Sequence, residues 1–175
     1  AGAMPWPRVQ NLLQQALSAV SALNRKGGFI SGVNPDMVRL YQDATTEHIV
    51  MTTAGIRSVQ DVLATMREQE LRGQEASEQE LPYVAPEILM GGPPNARADV
   101  FTIGVLAYQM LTGRLPFRAP SLPELMGQML QAKPAAPTMM VSALPVAVSD
   151  AITRAIDGRG ANRFESAEAF ADALR

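Results

Sequence analysis

The sequence predicts a mostly α-helical domain, about six helices around one buried central helix, with a small β-hairpin. Three observations carry this. Apolar stripes at helical spacing recur along the chain. Residues 97–111 are apolar on nearly every side, as a helix in the middle of a domain must be. Only two short extended runs, joined by a polar turn, read as paired strands. The chain has 175 residues, 47% hydrophobic and 18% charged, enough for one compact domain with a sizeable core.

The first four residues, Ala1-Gly2-Ala3-Met4, resemble a cloning remnant and are set aside, which leaves residues 5–175 as the expected domain. Pro5-Trp6-Pro7 stiffens the start of the first helix, expected over 7–26. Its face is Val9, Leu12, Leu13, Ala16, Leu17, Val20 and Leu23, and Gly27-Gly28 ends it. Phe29-Ile30 reads as a short extended piece. Val38–Tyr41 and His48–Met51 read as a hairpin about the polar turn 42–47. Ser58 followed by Asp61 resembles a capping box, and behind it Val59, Val62, Leu63 and Met66 give a helix over 59–71. Residues 67–80 carry five acids and two arginines and read as a solvated stretch. Pro82 and Pro86 bracket an irregular segment, and Gly91–Pro94 is a loop. The central helix, 97–111, ends at Thr112-Gly113. Ser121 with Glu124 starts another to about 132, and 145–156 and 165–174 give two more.

Composition excludes several chemistries. There is no cysteine and a single histidine, His48, so thiolate catalysis, disulfides and Cys/His metal sites are ruled out. A net charge of −2 lacks the basic footprint of a nucleic-acid binder. No apolar run approaches a membrane span, so no membrane contact is expected within this segment.

Motifs say more. Tyr83-Val84-Ala85-Pro86-Glu87 is followed by Ala98-Asp99-Val100-Phe101-Thr102-Ile103-Gly104-Val105-Leu106-Ala107-Tyr108-Gln109-Met110-Leu111-Thr112-Gly113-Arg114-Leu115-Pro116-Phe117, and later by Asn162-Arg163-Phe164. In this order they resemble the eukaryotic-type serine/threonine protein kinases found in bacteria: their A-P-E segment, the central helix of their large lobe and their last conserved block. The resemblance covers residues 8–175. It implies a protein-kinase-like C-lobe, with residues 56–82 in the place of the activation segment and the small N-lobe absent from this chain.

The resemblance also marks departures. Where the family reads H-R-D-x-K-P-E-N, this chain reads Ile30-Ser31-Gly32-Val33-Asn34-Pro35-Asp36-Met37. Gly32 stands at the base position and cannot accept a proton, Asn34 replaces the phosphate-stabilising lysine, and Met37 replaces the metal-binding asparagine. The D-F-G triplet reads Thr53-Ala54-Gly55. The resemblance implies that Glu87 pairs with Arg163, that Asp99 caps the central helix and holds the catalytic-loop backbone, and that Ile30 fills an internal apolar column. Neither Asp36, at a structural glutamate position, nor Asp43, in the hairpin turn, reads as a displaced catalytic acid. His48 reads as a surface or hydrogen-bonded residue, and Met90, Met126, Met129, Met139 and Met140 read as core filling.

From these departures the expectation is a catalytically inactive pseudokinase: no enzyme, no cofactor, no metal, and neither ATP nor magnesium bound. Its role would be a scaffold for protein interaction or self-association in a bacterial signalling, envelope or secretion protein. It would be cytoplasmic, whether alone or as the cytoplasmic part of a larger or membrane-anchored protein. The expected interface is the apolar hairpin floor, Val38, Leu40, Ile49 and Met51, together with Val59, Val62, Leu63 and Met66. The alternative is the C-terminal half of an atypical serine/threonine kinase that needs a missing N-lobe for ATP binding and phosphotransfer.

Overall fold

The computed structural model describes residues 3–30, 32, 33, 35–51 and 81–175. Among them are six α-helices and one two-stranded antiparallel sheet. The expected helix at 59–71 and the acidic stretch 67–80 lie outside the described residues.

Helix α1, Trp6–Arg25, carries a proline in its first turn, where a missing N–H costs nothing. It buries Val9, Leu12, Leu13, Ala16, Leu17 and Val20 of the stripe read from the sequence, while Leu23 is only half-buried against the core. Strands β1, Val38–Gln42, and β2, Glu47–Met51, pair with Leu40 opposite Ile49 and Val38 opposite Met51. The β2 backbone is tied to α1. Gln15 donates to the Glu47 carbonyl at 2.8 Å and accepts from the Ile49 amide at 3.0 Å, and Arg8 grips the Glu47 carboxylate through two nitrogens at 2.7 and 2.8 Å. A helix side chain thus satisfies backbone groups that an exposed strand would leave open.

Phe29-Ile30 is not a strand. The Ile30 amide goes to the Asp99 carboxylate instead of a neighbouring chain. The segment between Pro82 and Pro86 is more regular than expected: Leu81–Tyr83 forms a 3₁₀ turn and Pro86–Leu89 a single-turn helix, α2.

Helix α3, Ala96–Thr112, lies at the centre. Val100, Phe101, Ile103, Val105, Ala107 and Leu111 are fully buried around its whole circumference. Asn95 caps it by accepting from the Ala98 amide at 3.0 Å, and Gly113 ends it at φ 71°, a left-handed turn that glycine adopts without strain. Helix α4, Leu122–Gln131, starts at Ser121, whose hydroxyl bonds the Glu124 side chain at 2.9 Å. Helix α5, Val146–Ala155, crosses α3 at Gly104, where an added Cβ would sit 2.8 Å from Ile156 and 2.9 Å from Ala155. Helix α6, Ala167–Ala173, closes against α1 and α3. Among the described residues no helix is long and apolar enough to cross a membrane.

Of the methionines read as core, Met129 is buried and Met126 packs against the core, but Met90 and Met139 are 64% and 79% exposed and Met140 is also exposed. Met139 ends a 3₁₀ turn, Pro137–Met139, and Met90 and Met140 directly follow such short helical pieces, which are too short to impose a buried face.

At the hairpin tip the Asp43 carboxylate accepts from the amides of Thr45 and Thr46 at 2.9 and 2.8 Å, and lies 2.8 Å from the His48 ring. The Thr45 amide, the His48 ring and the Thr46 amide, in that order, hold its pKa below the ordinary carboxylate range. A depressed folded pKa makes this contribution present above the unfolded value and lost as pH falls through the folded one. Amide shifts of Thr45 and Thr46 in an acid titration should therefore still be native at pH 3.8, the ordinary midpoint. Half-complete movement at that pH would contradict the bonding.

Candidate functional site

Two buried charges and one glycine organise the residues that the sequence singled out. Asp99 sits in the first turn of α3, where the helix N-terminus favours an anion, and is wholly buried. Its carboxylate accepts from the Ile30 amide at 3.1 and 3.2 Å and from the Asn24 side chain at 2.8 Å. Asn24 also donates to the Gly28 carbonyl at 3.0 Å. Through these bonds the end of α1 and the chain up to Ile30 are fixed to the start of α3, and Ile30 itself is buried in the core.

Gly32 follows at φ +127°, a conformation that side-chain-bearing residues rarely adopt. A Cβ there would lie 2.8 Å from the Val84 Cγ2. The backbone at the position resembling the catalytic base is shaped around the absence of a side chain. Val84 is itself held in place. The preceding Tyr83 accepts from the buried Thr102 hydroxyl at 2.8 Å through its carbonyl, and donates its own hydroxyl to Gln109 at 2.6 Å.

Downstream, Glu87 in α2 meets Arg163, whose side chain is completely buried. Two parallel bonds join them, at 2.7 and 2.9 Å. Arg163 also donates to the carbonyls of Asp157, Arg97 and Gly158 at 2.6, 3.0 and 3.3 Å, and its guanidinium lies 4.7 Å from the Phe101 ring centroid. Arg97 returns a bond to the Arg163 carbonyl at 3.0 Å. A buried guanidinium needs this many acceptors to offset its lost hydration.

Met37 ends a 3₁₀ turn, Pro35–Met37, and is packed against the core. A thioether is a soft ligand and does not fit magnesium, which takes hard oxygen donors. The divalent cation of kinase chemistry therefore has no fitting ligand at this position. Among the described residues no group of three carboxylate or histidine side chains could hold a metal. Ser31, Asn34, Thr53, Ala54 and Gly55 lie outside the described residues.

Val38, Leu40, Ile49 and Met51 project from one face of the hairpin over α1 and α3, and with them line an apolar cavity. The other hairpin face carries Tyr41 and Val50, both exposed. Val59, Val62, Leu63 and Met66 lie outside the described residues. Sequence reasoning did not single out Asn24, Thr102 or Gln109. The available signal was polarity out of place: Thr102 and Gln109 interrupt a helix otherwise apolar all round.

No family model matches the chain. Individual relatives do. Serine/threonine-protein kinase PkaA of Streptomyces coelicolor is 31% identical over 164 residues, which is 94% of this chain and 28% of that protein. Serine/threonine-protein kinase pkn2 of Myxococcus xanthus is 30% identical over 178 residues, 99% of this chain and 21% of that protein. Among solved structures, the PknI kinase domain of Mycobacterium tuberculosis superposes with a TM-score of 0.69 at 21% identity, covering 99% of this chain and 56% of that one. The Rad53 kinase domain gives 0.70 at 20% identity, covering 95% and 58%. The fold is that of a protein kinase large lobe. The chain belongs with the bacterial serine/threonine protein kinases, and it spans under a third of the length of these two relatives.

These relatives correct one expectation. The chain was expected not to be an enzyme, yet proteins named as serine/threonine protein kinases match it over nearly its whole length. The expectation counted the groups of the small lobe as lost together with the changed residues of the large lobe. Phosphoryl transfer is mostly positioning and electrostatic stabilisation, to which the small lobe also contributes.

Two substitutions test the frame. Arg163→Leu strips Glu87 of its partner and should cost about 3–5 kcal/mol in urea unfolding; a cost under about 1 kcal/mol would show that the pair does not hold the segment. Gly32→Ala should cost about 1–3 kcal/mol from the positive φ and the Val84 contact, with Val84→Ala in the same chain relieving only the contact. A neutral Gly32→Ala would mean that the loop does not require glycine.

Proposed function

We propose that this chain is the large lobe of an atypical serine/threonine protein kinase. In the longer protein a small lobe completes the nucleotide site, and phosphate passes to a serine or threonine hydroxyl. The observation that carries this reading is identity of 30–31% to named serine/threonine kinases along 94–99% of the chain, rather than over one motif. Residues 5–175 form the lobe. The outward hairpin face, with Tyr41 63% and Val50 49% exposed, is the surface on which the small lobe sits. That lobe is the protein partner that the exposed apolar residues call for, and an ATP-dependent reaction places the domain in the cytoplasm.

The frame supports the reading because it fixes the segments that a kinase uses to position its substrate. Asp99 holds the chain before Gly32, and Arg163 holds the segment ending at Glu87. Gly32 supplies no general base. In a loose phosphoryl-transfer transition state the attacking hydroxyl needs orientation more than deprotonation, so the missing base costs rate rather than reaction class. General-base assistance is worth about 10²–10⁴-fold, and turnover should be slower by at least that order.

The longer protein, including the sequence upstream of Pro5, should transfer the γ-phosphate of ATP to serine and threonine of a generic acceptor such as casein. Phosphoamino-acid analysis reads the products, and Asp99→Ala should abolish transfer. No transfer from a folded protein with magnesium or manganese would overturn the reading.

A further inference from the structure

Between α4 and α5 the chain runs through residues 134–149 without one charged side chain. This stretch is built rather than slack. Pro137, Leu144 and Val148 are buried, and the Tyr108 hydroxyl of α3 donates to the Ala135 carbonyl at 2.9 Å. The 3₁₀ turn Pro137–Met139 is held against the first turn of α5, where the Ser149 hydroxyl lies 3.4 Å from both the amide and the hydroxyl of Thr138. The outer side is apolar. Met139, Met140 and Val146 are 79%, 39% and 68% exposed, and Ala135, Ala143 and Pro145 are exposed in the same stretch. Single exposed apolar side chains are ordinary, whereas a group of them on a fixed surface marks an interface.

The occupant has to suit a surface that carries no charge. A membrane surface is met by aromatic and basic side chains, and residues 134–149 contain neither. A strongly charged partner would find no counter-charge there. A second copy of the same surface meets neither obstacle, because an uncharged patch does not repel itself. The edge supplies a register. Lys133 and Asp150 flank the stretch in sequence, line one cleft together and are both exposed, and neither has an ion-pair partner among the described residues. A two-fold axis running along the patch and out between these side chains sets Lys133 of each copy against Asp150 of the other. The exposed apolar area is on the order of a few hundred Å², below the roughly 800 Å² per partner of a stable interface, so pairing is weak.

We propose that residues 134–147 form a self-association surface. Two copies of this chain pair about a two-fold axis, with Met139, Met140 and Val146 in the centre and reciprocal Lys133–Asp150 pairs at the edge. The surface shares no residue with the hairpin face assigned to the small lobe, and pairing does not depend on phosphate transfer.

Sedimentation equilibrium of the 175-residue chain, with methionine-methyl NMR over the same concentrations, tests this. A reversible monomer–dimer equilibrium is expected between about 10 µM and 1 mM. The Met139 and Met140 methyls should move with concentration while those of Met51 and Met90 stay. Val146→Asp, an acid at the start of a helix that the fold accepts, should leave the chain monomeric throughout. Lys133→Asp should weaken pairing about 3–10-fold, and adding Asp150→Lys should restore it. The proposal is overturned by a monomer at the highest concentration, by a dimer whose shifts fall on Met51 or Met90, by a charge swap that fails to restore pairing, or by Met139 shifts that appear only with phosphatidylcholine vesicles.

Discussion

A guanidinium with no access to water constrains the rest of this molecule. Arg163 could not be buried unless the Glu87 carboxylate, three backbone carbonyls and the face of Phe101 were all assembled around it. Those partners come from α2, from the start of the loop 157–163 and from the first turns of α3. One side chain therefore couples pieces of sequence far apart and makes their arrangement all-or-none. The gain is specificity of position: the segment from Leu81 to Glu87 has one place to lie.

Asp99 does the same at the other side of α3. Its buried charge is stabilised by the helix N-terminus and by donors from Ile30 and Asn24, so the chain leading to Gly32 is registered against the same helix. The apolar remainder of α3 supplies the burial that α1, α5 and α6 pack against. Two ionic anchors on one hydrophobic axle bring Gly32 and Val84 into contact, although they are remote in sequence. The positioning frame of a kinase lobe is thus present where the residues of its chemistry have changed.

Much of this was legible. Helix periodicity located α1, α3, α4, α5 and α6 to within about two residues, because each carries a clear apolar face or cap. The hairpin was legible from two alternating runs about a polar turn. Phe29-Ile30 misled because a short apolar pair looks like a strand, while its amide is claimed by a distant carboxylate that no local pattern announces. Met139 and Met90 misled because hydrophobicity alone does not distinguish an exposed short turn from a core. What the hairpin faces was not legible: Val38, Leu40, Ile49 and Met51 show a common face, but only packing shows that α1 and α3 lie across from it. Reading the missing carboxylates as loss of enzymatic identity failed because the relatives along nearly the whole chain are named as kinases, and part of what positions phosphate belongs to the small lobe.

The claim that one buried ion pair fixes the segment from Leu81 to Glu87 is open to native-state hydrogen exchange on the Glu87→Gln variant. The account predicts that amide protection in residues 83–92 falls towards local-opening values, while the buried amides of α1 and the β1–β2 pairing keep the protection of the unmodified chain. Equal protection of residues 83–92 in both chains, or a uniform loss across every helix, would contradict it.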